Sequence, residues 1–230
     1  MAYQTLLFDI DDTLLDFGAS EDASLALMFD HFGIALTDEI KKRYEVINQN
    51  LWRQFERQEI DRQTIFKRRF PELFTEFHLA TPEISAQAEA VYREGLNHGH
   101  QQVPQAQELL ARLSKQSDLK LYIVSNGVAK TQNMRLHDSG FARYFQQVFV
   151  SETVGHQKPD IRFFEAVEQG IADFDRRQAL IIGDSLTSDI QGGINAGIDT
   201  VWYNPRQLPF TAVQPTYQIA ELLQLLEVIK

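Results

Sequence analysis

Leu6-Leu7-Phe8-Asp9-Ile10-Asp11-Asp12-Thr13-Leu14-Leu15 is the stretch that decides how the rest of the chain is read. Leu6 to Phe8 form a short apolar run of the kind a buried parallel strand uses. The run passes directly into three carboxylates and a hydroxyl. Negative charge at the edge of an apolar core is costly unless a cation, or chemistry that needs one, sits beside it. If the chain stays near-extended here, Asp9 and Asp11 point to one side and Asp12 to the other. Two carboxylates on one side can divide labour, one attacking and the other moving a proton. The plainer reading of the same residues is an acidic turn in which Asp12 and Thr13 cap a following helix.

After Leu15 the pattern is helical for a long way. Leu25, Met28, Phe29 and Phe32 make one apolar stripe, closed by Gly33. Thr37 followed by Asp38 and Glu39 starts a second helix, with Ile40, Tyr44, Ile47, Leu51 and Phe55 on one face. A third stripe is Phe66, Phe70, Leu73 and Phe77, with Pro71 expected to restart the helix at a first-turn position. A fourth is Ile84, Ala88, Val91 and Tyr92. No strand signal interrupts this block, which reads as an all-helical domain over residues 16–90, inserted into a core made of 1–15 and 91–230.

From Val103 strands and helices alternate. Strands are expected at Leu119–Val124, Val148–Val150, Ala179–Ile182 and Thr200–Tyr203. Helices are expected after Pro104, at Ala129–Asp138, Pro159–Gly170, Ser188–Ala196 and Leu222–Ile229. This is the pattern of an α/β fold, a Rossmann-like parallel sheet with helices on both faces. Ligands in such sheets bind beyond the carboxyl ends of the strands. Four sets of residues stand there: Asp9, Asp11 and Thr13; Ser125-Asn126-Gly127; Lys158-Pro159; and Gly183-Asp184-Ser185 with Asp189. Each has a plain reading, as a cap or a solvated side chain. Their convergence in one crevice is what favours chemistry. Asp9, Asp184 and Asp189 offer the oxygen ligands Mg²⁺ takes. Ser125 and nearby N–H groups suit phosphate oxygens at a helix start, and Lys158 adds positive charge.

Bulk properties set the limits. The 230 residues suit one domain, or one with an insertion, and the 43% hydrophobic fraction suits a full core. A net charge of −10 argues against a nucleic-acid polymer or an anionic membrane as partner. It leaves room for a small anionic substrate, because a bound divalent ion reverses the local sign. The absence of cysteine excludes disulfides and thiolate zinc sites. No basic segment followed by a signal-length apolar run opens the chain, so a cytoplasmic location is expected. Nothing in the sequence fixes the oligomeric state, and a monomer satisfies it.

In these four motifs and their order the chain resembles the haloacid dehalogenase-like (HAD) phosphohydrolases over essentially its whole length. The resemblance implies that Asp9 attacks phosphorus and becomes an aspartyl-phosphate, and that Asp11 protonates the leaving alcohol and later activates water. It implies that Mg²⁺ is bound by the Asp9 carboxylate, the Asp11 main-chain carbonyl and Asp184, with Asp189 supporting the metal's ligands and Lys158. It also implies that Ser125, Asn126 and Lys158 hold the phosphoryl group. The helical block then looks like the cap such enzymes insert after the first motif. Asp16-Phe17, Asn48, Leu51-Trp52, Phe55-Glu56, Ile60 and Arg69-Phe70 resemble YjjG-type pyrimidine 5′-nucleotidases. A nucleoside monophosphate is therefore the expected substrate, with Phe17, Asn48 and Arg69 as candidate selecting residues. Trp52, Phe55 and Phe70 also read as cap core, and Asn48 and Arg69 equally as a solvated helix face. A sugar-phosphate or phosphoglycolate phosphatase shares the core. A dehalogenase does not need Asp11. A phosphonatase would bring a Schiff-base lysine from the cap, and nothing marks Lys41, Lys42 or Lys67 as desolvated. A non-catalytic binding protein on this scaffold is the alternative of a different class, although none of the expected groups is missing.

Overall fold

The structure is a computed structural model that describes residues 3–79, 81–209 and 212–230. Among these residues the chain order is β1 (Thr5–Phe8), α1 (Phe17–His31), α2 (Asp38–Glu56), α3 (Arg62–Glu76), α4 (Pro82–His98), α5 (Ala106–Leu113), β2 (Lys120–Ser125), α6 (Ala129–Asp138), β3 (Gln147–Val150), α7 (Ser151–Val154), α8 (Ile161–Gly170), β4 (Ala179–Gly183), α9 (Gln191–Ala196), β5 (Asp199–Tyr203), β6 (Tyr217–Ile219) and α10 (Leu225–Val228).

The six strands form one sheet in the order β3-β2-β1-β4-β5-β6, every neighbouring pair parallel. β1 lies inside it, with Phe8 level with Ile123 of β2 and Ile182 of β4. Side chains alternate across the strands, so the apolar run serves two cores. Leu6 and Phe8 pack with Leu121, Ile123, Leu180 and Ile182 under α5 (Leu109, Leu110, Leu113) and α6 (Leu136). Leu7 packs on the other face with Tyr122, Val124 and Ile181 under α8 (Phe163, Phe164, Val167) and α9 (Ala196). Burying each of the three β1 side chains contributes roughly 2 kcal/mol. Strand order runs outward from β1 in both directions, which opens a crevice at the carboxyl ends of β1, β2 and β4.

The chain divides into two compact units, Met1–Phe17 with His100–Lys230, and Gly18–Gly99. The expected second edge, near residue 90, falls inside α4. Ala88, Tyr92 and Leu96 recur at helical spacing and are all buried, and α4 runs on until Gly99 caps it. Pro71 is a second correction. It does not start a helix but lies within α3, which begins nine residues earlier, where Asp61 accepts the Thr64 N–H at 2.7 Å. The missing proline N–H is tolerated because Ile65, Phe66, Phe70, Leu73 and Phe74 are all buried around it. α2 follows its stripe, with Ile40, Tyr44, Ile47, Leu51 and Phe55 buried and the Thr37 hydroxyl accepting the Ile40 N–H. β6 has no counterpart in the sequence reading. It is a three-residue edge strand in which only Ile219 is buried. The expected helix from Ser188 is wound instead as a π-turn at Leu186–Ile190 followed by α9, and the closing helix is a 3₁₀ turn at Leu222–Gln224 followed by α10. Among the described residues no helix is long and apolar enough to cross a membrane.

Candidate active site

Asp9 is the first residue beyond β1, and its N–H still joins the ladder through the Ile182 carbonyl at 2.9 Å. The backbone is therefore fixed while the carboxylate projects from the strand end, buried to 7% exposure. Lys158, 1% exposed, donates to Asp9 Oδ1 at 2.6 Å, to Asp189 Oδ1 at 2.5 Å and to the Val124 carbonyl at 2.7 Å. An ammonium has three hydrogens, and all three are used. Asn126 sets this lysine from the end of β2. Its amide accepts the Lys158 N–H and donates to the Lys158 carbonyl, both at 2.9 Å. Asp189, on the π-turn after β4, also accepts the Ser185 N–H on Oδ2 at 3.1 Å. A Cβ at Gly183 would lie 2.3 Å from Asp189 Cγ, so the close approach of that carboxylate requires glycine there.

Carboxylate oxygens of Asp9, Asp184 and Asp189 lie within 4.8 Å of one another. Asp184 is half-buried and directly follows β4. Its carbonyl accepts the Trp202 indole N–H, while its carboxylate has no hydrogen-bond partner among the described residues. Burial pushes the Asp9 carboxyl up to about 8 against the pull of Lys158, and Asp189 and Asp11 push the same way. Burial likewise holds Asp184 well above the carboxylate range, helped by Asp189 and Asp9. Burial alone would lower the Lys158 ammonium, but Asp189 and Asp9 outweigh it and hold it above its ordinary value. When all three carboxylates are ionised, one ammonium leaves two negative charges in excess, at a place where the metal-ligand candidates are all oxygens. That donor set fits a hard divalent cation such as Mg²⁺.

Ser125 ends β2 fully buried, its hydroxyl oxygen accepting the Gly127 N–H at 3.1 Å and the Gln132 amide at 3.0 Å. Asp12 adopts φ +55 and its carboxylate accepts the N–H of Phe17, the first residue of α1. The capping reading of Asp12 is thus met at the start of α1. Asp11 receives Arg135 Nη1 on Oδ1 and Gln132 Nε2 on Oδ2, the latter at 2.6 Å. Neither Gln132 nor Arg135 was expected at the site. Their signal is the i, i+3 spacing on a helix that opens just beyond Ser125-Asn126-Gly127. Phe17 joins them, with the Arg135 guanidinium 5.6 Å from its ring centre.

Asn48 and Arg69 come together elsewhere, inside the helical unit. Arg69 is 2% exposed and donates to both Glu89 oxygens at 2.7 and 2.8 Å, with Asn48 Oδ1 at 3.4 Å. Asn48 in turn donates to Glu21 at 2.8 Å. Both are buried, so neither forms a solvated helix face. Phe55 and Phe70 are buried there too, Phe70 stacked on Tyr44.

The family model for haloacid dehalogenase-like hydrolases matches residues 6–203. The chain belongs to that family. Among relatives of this HAD-like hydrolase, the HAD-hydrolase YfnB of Bacillus subtilis is 44% identical over 228 residues, covering 99% of this chain and 95% of YfnB. Pyrimidine 5′-nucleotidase PynA of Streptococcus pneumoniae is 42% identical with the same coverage. Pyrimidine 5′-nucleotidase YjjG of Escherichia coli is 28% identical over 98% of this chain and 97% of its own. The magnesium-bound crystal structure of YfnB, for which interdomain movement is described, superposes with a TM-score of 0.94, covering 100% of this chain and 99% of that one.

Proposed function

We propose that this HAD-like hydrolase is a Mg²⁺-dependent phosphomonoesterase acting on pyrimidine nucleoside 5′-monophosphates. The observation that carries the reading is the state of Asp9. One oxygen is held by the Lys158 ammonium, and the other makes no hydrogen bond among the described residues. That leaves a fixed, desolvated carboxylate oxygen with a lone pair to attack phosphorus. The leaving alcohol takes its proton from Asp11, and the phosphoryl group rests on Asp9. Water deprotonated by Asp11 then attacks phosphorus, releasing phosphate and restoring Asp9. One difficult displacement becomes two easier ones.

Asp9, Asp184 and the Asp11 main-chain carbonyl would hold Mg²⁺, with Asp189 fixing Lys158 and the Ser185 main chain. The bound ion supplies charge stabilisation at the phosphate oxygens. Both Ser125 lone pairs are engaged, so its O–H is the group that donates to a phosphate oxygen. In this reading Asn126 serves the phosphate site together with Lys158, whose main chain its side chain holds. Lys158 balances the charge of the transferring group. A dehalogenation has no leaving oxygen to protonate, so the doubly anchored Asp11 favours phosphate chemistry. The nucleotide preference draws its support from the relatives named pyrimidine 5′-nucleotidase. In the same reading the helical unit selects the nucleoside. Asn48 and Arg69 shape it from its interior, and Phe17 supplies a wall beside Asp11.

The test is phosphate release from pyrimidine, purine and sugar monophosphates, phosphoglycolate and an aryl phosphate, with Mg²⁺ or with chelator. Mg²⁺-dependent release with the highest kcat/KM on pyrimidine nucleotides is expected. Release confined to sugar phosphates or phosphoglycolate would move the function to those substrates, and binding without release would make the protein a non-catalytic binder.

A further inference from the structure

We infer that Gln132 and Arg135 are positioning residues for Asp11, and that through Gln132 they tie the proton carrier to the phosphate-holding serine. The inference rests on the reading of Asp11 given above. Both residues come from α6, 121 and 124 residues away in sequence, and they are 2% and 1% exposed. Burying an amide and a guanidinium at a sheet-facing helix is costly unless they are hydrogen-bonded or ion-paired. Here the pairing is directed at one carboxylate. Arg135 Nη1 holds Oδ1, Gln132 Nε2 holds Oδ2 at 2.6 Å, and Gln132 Oε1 accepts Arg135 Nη1 at 3.0 Å.

The Asp11 side chain is itself 30% exposed, so it has room to swing unless something anchors it. Fixing both oxygens fixes the carboxylate plane. The same Gln132 amide reaches Ser125 Oγ at 3.0 Å. One side chain thus spans the group that moves the proton and the group that grips the phosphate. Gly127 makes room for it, because a Cβ there would lie 2.3 Å from Gln132 Nε2. The Phe17 ring beside Arg135 gives the guanidinium an apolar wall. Neither donor moves a proton in the reaction. Asp11 gives one to the leaving oxygen in the first step and takes one from water in the second, and the pair sets where its oxygens stand.

The experiment follows leaving-group release in rapid-quench single turnovers, with an alkyl ester (a nucleoside monophosphate) and an aryl phosphate. The alkyl leaving oxygen needs a proton, whereas the phenolate departs without one. Gln132→Leu keeps the side-chain volume and removes the hydrogen bonds, and Arg135→Lys keeps the charge. Each is made alone and with Asp11→Asn, with thermal midpoints recorded. The expected result is a loss of roughly 10- to 100-fold on the alkyl ester, the size of effect a misplaced catalytic group produces. Aryl release should stay within about 3-fold, and the alkyl loss should vanish when Asp11 is already Asn. Equal losses on both esters, or losses that multiply with that of Asp11→Asn, would overturn the inference while leaving the proposed function intact. If Asp11→Asn itself leaves the alkyl-to-aryl ratio unchanged, the assignment of Asp11 fails, and the inference with it.

Discussion

Position 9 holds a carboxylate that burial drives toward protonation and that one ammonium holds in place. Asp9→Asn should keep the fold and reduce turnover by about 10³-fold or more, because an amide does not attack phosphorus. Steady-state kinetics alongside a far-ultraviolet spectrum checks both halves. The pH dependence has a definite sign. Asp9 rises from 3.8 to about 8 on folding, and Asp184 rises with it. Their contribution favours the folded state fully below their unfolded values and is lost as pH climbs through the folded ones. The Lys158 ammonium moves above its ordinary value, so its contribution persists across that range. In chelator the thermal midpoint should therefore fall between about pH 5 and about pH 9, and Mg²⁺ should raise it more at the upper end. An equal Mg²⁺ effect at both ends would count against a cation at these carboxylates. The places of Asp9, Ser125 and Asp184 were legible because each stands at or just beyond a segment whose pattern gives its place in a parallel sheet, and that of Lys158 because it directly precedes the proline at the start of the next helical pattern. Gln132 and Arg135 were not, since polar residues on a helix look like a wet face until the fold brings Asp11 against them.

Among the elements, the buried network around Arg69 makes the clearest demand. Its guanidinium pairs with Glu89 and lies 4.5 Å from the Tyr92 ring centre. Arg69→Ala should cost about 3 kcal/mol by emptying the space beside Phe70 and Tyr92 and leaving Glu89 with Arg93 alone, while Arg69→Met with Glu89→Leu should recover most of it. Chemical denaturation of the three proteins gives the comparison, and a single-variant loss no larger than that of a surface arginine would show the network to be idle. Elements with a strong period were legible: the α2 stripe is buried residue for residue, and α6 spans Ala129–Asp138 as its sequence suggests. Pro71 misled because the local rule against helical proline was outweighed by the aromatic packing on either side of it. β6 escaped notice because three residues with two exposed carry no period at all.

At the level of the whole molecule, the sheet brings Asp9, Ser125 and Asp184 to the carboxyl ends of neighbouring strands, and in a chain of net charge −10 the proposed divalent cation is what would let that acidic edge accept an anion. The alternation after Val103 made that sheet legible, and the long helical stretch before it made the insertion legible. The second edge of the insertion was misplaced because α4 carries no breaker before Gly99. The central claim is that the phosphoryl group passes to Asp9. Its most direct test is acid-quench peptide mass mapping of the Asp11→Asn protein after mixing with an aryl phosphate and Mg²⁺. There the first step needs no proton donor and the second lacks its base. The account predicts one added phosphoryl group on the peptide carrying Asp9, absent from the Asp9→Asn protein. A phosphoryl group on any other residue, or leaving-group release with no adduct at any quench time, would contradict it.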